Sequence, residues 1–332
     1  MENEKDVASE VATAEPTATT EVPQKTANAP ATTEENPLAY RKRKRRLGDR
    51  REGRKLRTIQ PVLRLMPYIM PKRSDALNTF YDRLEISRVD DLCRRKVREG
   101  KIHFSALHVL LAAYLRTISQ RPGINRFVSG QKIFARNEIV FVMTVKKELS
   151  LNAPETLIKV KFNPSDTLDE VYEKFNATAQ AAIASMDHPT EFDKLSKVLS
   201  LIPGQLLRFT MWVLRCLDYI GRLPKGLLEL SPFHGSMIIT SMGSLGIKPI
   251  YHHIYDFGNL PVFCAFGCKY RKNEIDMEGN LVQRKYIDFT VNTDERICDG
   301  FYYATTLKHL KRLLSHPEQL DKPAPVVNHD IE

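Results

Sequence analysis

Seven residues near the C-terminus gather the side chains best suited to proton chemistry: Asp294-Glu295-Arg296-Ile297-Cys298-Asp299-Gly300. They stand between an alternating, strand-like run and a helical run. A general base needs a pKa near the working pH. Glutamate ordinarily titrates at about 4.3, histidine at about 6.5 and a thiol at about 8.5. Glu295 is therefore a poor base unless burial raises it, which burial does by several units. The other candidate bases are the adjacent histidines of Tyr251-His252-His253-Ile254. Neighbouring histidines in a loop ordinarily lie at the surface or satisfy hydrogen bonds, so a structural pair stands beside the catalytic reading. Cys264 and Cys268 look paired, but their spacing is not that of a zinc knuckle. Both fall in the apolar run PVFCAFGC and read as core, and no metal site is expected.

These groups need elements to hold them. Phe80 to Ile86 reads as a strand and Val89 to Arg98 as a helix. Ser105 caps a helix whose Leu107, Leu110, Leu111, Tyr114, Leu115 and Ile118 form an apolar stripe stopped by Pro122-Gly123. Gln131 to Lys147 holds two strand-like runs, and Thr156 to Phe162 another. Thr167 and Glu170 make a capping box for a helix running to about Met186. Residues 193–230 form an apolar helical pair, broken at Pro203-Gly204 and Leu223-Pro224. Strands are expected at Ser236 to Met242, Val262 to Cys268, Leu281 to Arg284 and Tyr286 to Asn292. In the last, Ile287, Phe289 and Val291 alternate with Asp288, Thr290 and Asn292. The final helix begins after Gly300, buries Tyr303, Leu307, Leu310 and Leu314, and ends before Pro317.

The motif at 294–300 resembles the Asp-His-Arg-(two apolar)-Asp-Gly junction of dihydrolipoyl acyltransferases, and the similar His-x-x-x-Asp-Gly of chloramphenicol acetyltransferases. The helix FYYATTLKHLKRLLSHPEQL matches the family's Leu-x-x-Leu-Leu-x-x-Pro ending. MIITSMGSLG (Met237 to Gly246) is similar to its strand ending in Ser-x-Leu-Gly. FSALHVLLAAYLRTISQRPGINRFVSGQKIFARNEIVFVMTV resembles its first long helix, the Pro-x-x-Asn turn and the next strands. The resemblance spans roughly residues 60 to 320.

It implies an α/β fold: a chloramphenicol acetyltransferase-like mixed β-sheet flanked by helices, here with the inserted apolar helical pair. It also implies a trimer or higher homo-oligomer with active sites between subunits. A coenzyme A thioester enters from one side and the acceptor from the other. The family's histidine takes the proton from the attacking group, and a serine or threonine one strand away hydrogen-bonds the oxyanion. Its motif aspartate holds the loop through an arginine. On this sequence Thr240 matches the oxyanion hydroxyl, Asp299 the structural aspartate and Gly300 the glycine that lets the loop turn into the helix. Arg64 and Arg73 are candidates for the arginine. Glu295 stands where the histidine should be. Three readings stay open: Glu295 as the base, His252 or His253 as its replacement, or a catalytically inactive oligomeric scaffold that keeps the fold for binding.

Composition bounds the rest. The chain has 332 residues, 42% hydrophobic and 27% charged, with five cysteines. Few cysteines in no framework spacing suit a reducing, cytoplasmic setting. Residues 1–40 carry a net −6 and too few apolar side chains to order, so a disordered acidic tail is expected. Arg41 to Arg57 carries +9, leaving +7 for the rest of a chain whose total is +10. Residues 41–60 read as a basic linker or an arm on an acidic surface, with nucleic-acid binding as the sharper alternative. No nucleic-acid fold accompanies it. The acyltransferase-like domain is placed at 61–322 and a C-terminal tail at 323–332. No lipoyl lysine in an Asp-Lys-Ala turn is present, so a lipoyl-bearing or other acceptor protein would act in trans. Arg208, Arg215 and Asp218 interrupt Val198 to Ile220, which argues against a transmembrane span. The insertion is read as packing internally; cover for a substrate channel, contact with a neighbour and a membrane surface are the alternatives.

Overall fold

The computed structural model describes residues 44–146, 155–185 and 191–332. The expected acidic tail, 1–40, lies outside the described residues. In chain order the elements are β1 (Gly53–Lys55), α1 (Pro61–Ile69), β2 (Leu77–Glu85), α2 (Ser87–Arg98), α3 (Ala106–Gln120), β3 (Arg126–Ser129), β4 (Lys132–Arg136), β5 (Ile139–Lys146) and β6 (Glu155–Phe162). Then come α4 (Leu168–Ala184), α5 (Glu191–Ser200), α6 (Gly204–Ile220), α7 (Lys225–Leu230), β7 (Met237–Ser241), β8 (Val262–Ile275), β9 (Leu281–Asp294) and α8 (Gly300–Ser315).

The described part of the basic arm folds onto its own domain. Asp49 accepts from the backbone N–H of Arg46 and Lys55 and pairs with Arg57 at 3.2 Å. That turn delivers β1 to β4, and β3 completes a small antiparallel sheet. Gly53 is required there, because a Cβ would lie 2.5 Å from the Phe127 ring and 2.7 Å from the Ala135 carbonyl oxygen. Neither β1, inside the arginine-rich stretch, nor α1, just after it, is legible in the sequence. The 323–332 tail is also packed on the domain, with Ala324 and Val327 buried and Asp330 paired to Arg126.

The main sheet is mixed, in the order β2-β9-β8-β7-β5-β6. β7 runs parallel to β5 and β8; the other pairings are antiparallel. One face carries Met237, Ile239, Cys264, Phe266, Phe289 and Val291 against α3 and α8. Nearly every residue of α3 is buried, so its expected single stripe is instead a helix enclosed on all sides. The segments Leu281 to Arg284 and Tyr286 to Asn292 are one strand, β9, which forms a long hairpin with β8 around Gly279.

The other face is unusual. Asp288, Thr290 and Asn292 were the polar side of the alternation, yet all three are buried. The segment between β7 and β8 folds back over them, and Thr290 Oγ1 donates to the Ile250 carbonyl.

The insertion forms three helices, α5, α6 and α7. The expected internal packing fails for α6, which has no buried residue. Its inner side is held by polar contacts: His234, buried before β7, reaches Asp218 at 3.2 Å and Ser231 Oγ at 2.8 Å. Lys159 on β6 donates to the carbonyls of Leu228 and Ser231 beside α7. Burial pulls the Lys159 ammonium from its ordinary 10.5 down to about 8. A folded-state pKa below the unfolded one means that the unfolded chain binds more protons between those values. Stability should therefore rise from pH 8 to 10.5 relative to Lys159→Met, by on the order of 2 kcal/mol. Denaturant unfolding of both proteins at each end of this window measures it.

Candidate active site

The motif loop is pinned by a buried charge cluster. β9 runs on to Asp294, whose carboxylate receives a two-pronged hydrogen bond from Arg296, Nε and Nη2 each at 2.7 Å. Arg73 Nε lies 3.7 Å from the same carboxylate. The second arms of both guanidinium groups reach elsewhere. Arg296 donates to the Met70 and Pro71 carbonyls. Arg73 donates to those of Val128, Tyr255 and Asp256. Burial lowers the Arg73 pKa, and Asp294 opposes that shift. One carboxylate thus ties the loop to the α1–β2 connection, to β3 and to the histidine segment.

This corrects the role implied for Asp299. Asp299 is exposed, and its carboxylate accepts from the Tyr302 N–H at 2.7 Å as the N-cap of α8. It has no arginine partner among the described residues. The structural carboxylate is Asp294, because the strand carries it into the interior before the loop turns outward. Of the candidate arginines, Arg73 reaches the motif, while Arg64 is exposed and donates to the Arg57 carbonyl. Gly300 is not demanded by local geometry either, since its φ is not positive and an added Cβ would meet nothing within 4 Å. Glu295, Asp299, Gly300 and Phe301 together form an open edge, with Phe301 80% exposed. Glu295 makes no hydrogen bond or ion pair with any described residue.

Thr240 ends up on the sheet face covered by the histidine segment. It pairs with Ala265, which pairs with Thr290. It is half-buried, and its hydroxyl has no partner among the described residues. His252 stacks on Phe263 at 3.9 Å, nearly parallel, two residues along β8 from Ala265. Its Nδ1 lies 2.7 Å from the His253 carbonyl oxygen, and exposed His253 packs edge-on to Tyr255 at 4.9 Å. Among the described residues no carboxylate orients either imidazole. Asn292, directly across from Phe263, accepts from the Thr79 hydroxyl at Oδ1, and its buried Nδ2 has no partner among the described residues.

The structure therefore brings Thr240, His252 and Asn292 to one face and leaves Glu295 apart. Glu295 lies five residues beyond Thr290, roughly 16 Å along β9, and two strands, about 10 Å, across from Thr240. The one-strand separation implied by the resemblance does not hold within a single chain.

Several functional-looking groups escaped the sequence. Asp288 is held below the ordinary carboxylate range: burial pushes it up, but hydrogen bonds from Tyr270, Tyr81 and Arg83 outweigh that. A cleft of about 310 Å³ lies between the basic arm and the C-terminal segment, with Lys44, Arg45, Arg46, Arg50, Arg54 and Arg57 among its lining residues. Asp49, Asp330 and Glu332 also line it, and Arg126 joins Asp330 to the Ile297 carbonyl of the motif loop. Among the described residues no cluster of His, Cys, Asp and Glu is arranged to hold a metal ion, and no helix is long and apolar enough to cross a membrane.

No protein-family model and no curated protein matches the chain. Solved structures do. A probable dihydrolipoamide acetyltransferase from Listeria monocytogenes 4b F2365 superposes with a TM-score of 0.50 at 13% identity, covering 80% of this chain and 96% of its own. The dihydrolipoamide acetyltransferase of Azotobacter vinelandii gives 0.47 at 12%, covering 78% and 88%. A chloramphenicol acetyltransferase gives 0.43 at 10%, covering 74% and 92%. The likeness to the Listeria protein establishes the fold, a mixed sheet flanked by helices of the acyltransferase type.

Proposed function

We propose that this protein transfers an acyl group from a coenzyme A thioester to a thiol or other acceptor, at sites formed between copies of the chain. The observation that carries the reading is the placement of Thr240. Its half-buried hydroxyl, uncommitted among the described residues, supplies a donor for a tetrahedral oxyanion. The basic cleft beside the motif loop suits the phosphates of the donor. Glu295 stands on an open edge, so the burial that would make it a base has to come from a second subunit. His252, already on the Thr240 face, is the base available within one chain. Glu295, exposed and without a partner among the described residues, also favours a second reading, an oligomeric scaffold of the same fold without chemistry.

The experiment is thioester turnover by the purified protein with a panel of acyl-coenzyme A donors and thiol or amine acceptors, read as release of free thiol. Base catalysis contributes about 10²–10⁴-fold, so the variant lacking the base should fall by that order. Loss in Glu295→Gln with His252→Ala and His253→Ala active assigns Glu295 as the base and an intersubunit site. Loss in His252→Ala alone assigns a site within one face. A folded oligomer without turnover on any donor leaves the scaffold reading.

A further inference from the structure

The inserted helix α6 is apolar on its outer side as well as on the side that meets the domain. Leu207, Thr210, Met211, Leu214 and Asp218 form the half-buried side towards the domain. Leu206, Phe209, Trp212, Tyr219 and Ile220 point away and are 53% to 60% exposed, with Phe209 and Trp212 stacked at 5.8 Å. A continuous apolar face of this size on the outside of a chain marks a contact site.

The C-terminal end of α6 leads towards α1. Tyr219 donates to Gln131 Oε1 at 2.7 Å, and Gln131 shares a cleft with Arg64 and Tyr68 of α1. There Val62, Leu65, Tyr68 and Ile69 are exposed as well. Exposed cations flank these residues: Arg208, Arg215 and Arg222 on or next to α6, and Arg64 and Lys132 at the cleft beside α1. The acidic neighbours are engaged inward, Asp218 with His234, Glu52 with Asn259 and Asp49 with Arg57.

From this arrangement we infer that α6 and α1 lie on an anionic lipid surface, with the apolar row in the acyl boundary and the arginines among the headgroups. Aromatic residues and leucines on one side with arginines at the border are the pattern of an interfacial helix. A second copy is a poor occupant, since a two-fold contact would bring Arg208 and Arg215 towards their own counterparts. Nucleic acid would leave the apolar row exposed. The inference stands independently of acyl transfer.

Trp212 is the chain's single tryptophan, so its emission reports the face directly. Full-length protein is mixed with phosphatidylcholine vesicles with or without phosphatidylglycerol, and flotation is measured with the Trp212 spectrum. The expected result is flotation and a blue shift with the anionic vesicles, weakening as salt rises. Leu206→Gln with Phe209→Gln should weaken partition at least about tenfold. Arg208→Gln and Arg215→Gln should each cost about fivefold on anionic vesicles. All four positions are exposed, so folding is spared. No flotation with anionic vesicles overturns the inference. So does a blue shift without lipid that grows with protein concentration, which would assign the face to a second copy. Binding to duplex DNA in place of vesicles, with Trp212 unshifted, overturns it too.

Discussion

Asp294→Asn should destabilise the fold by about 3–5 kcal/mol, the cost of breaking a buried ion pair from one side. The substitution keeps the volume but removes the carboxylate that, among the described residues, forms ion pairs with both Arg296 and Arg73, at 2.7 and 3.7 Å. Two buried guanidinium groups would then face a neutral amide, and each is anchored by carbonyls on a different segment. Neither can swing to solvent without releasing the α1–β2 connection or the histidine segment. In urea titrations the midpoint should fall with the slope unchanged. Asp299→Ala should cost only about 1 kcal/mol, as the loss of an exposed N-cap does. If Asp299→Ala proves the more costly of the two, the structural role assigned to Asp294 is wrong.

Thr240→Ala should lower turnover in the proposed acyl transfer by about 10²–10³-fold, the usual effect of deleting one oxyanion donor. The change removes a half-buried hydroxyl that bonds to no described residue, so little folding energy goes with it. Thr240→Ser should restore most of the rate, since the donor returns at the same register. The effect belongs in kcat, because the hydroxyl meets full negative charge only in the transition state. A Thr240→Ala enzyme with unchanged kcat would remove this face from the mechanism.

Much of the fold was legible because its signals are local. The Thr167 and Glu170 capping box and the Pro203 and Pro224 breaks mark ends that a chain must obey whatever surrounds them. The alternation in β9 correctly paired Ile287, Phe289 and Val291 on one side, but it misled about the other. Asp288, Thr290 and Asn292 read as solvent-facing because period-two polarity cannot reveal a distant segment folding over them. The site was less legible for a related reason. Asp294 and Asp299 are indistinguishable by residue type, and only the length of β9 decides which one is buried. Arg73 is known as a partner only once residues 221 positions apart in sequence are brought together. β1 was hidden because arginines carry no strand signal; its place follows from the Asp49 turn and from Gly53 fitting against Phe127.

The Arg50 side chain has a consequence for how the molecule assembles. Its guanidinium donates to the Tyr219 and Ile220 carbonyls, closing the C-terminal end of α6 next to the left-handed Gly221. These partners are 169 and 170 residues apart. The last turn of α6 therefore has no stop of this kind until β1 has joined β4 and carried Arg50 into position. Such a distant closure costs loop entropy that nearer contacts must offset first. The cap on the last turn of α6 thus depends on the small sheet being in place.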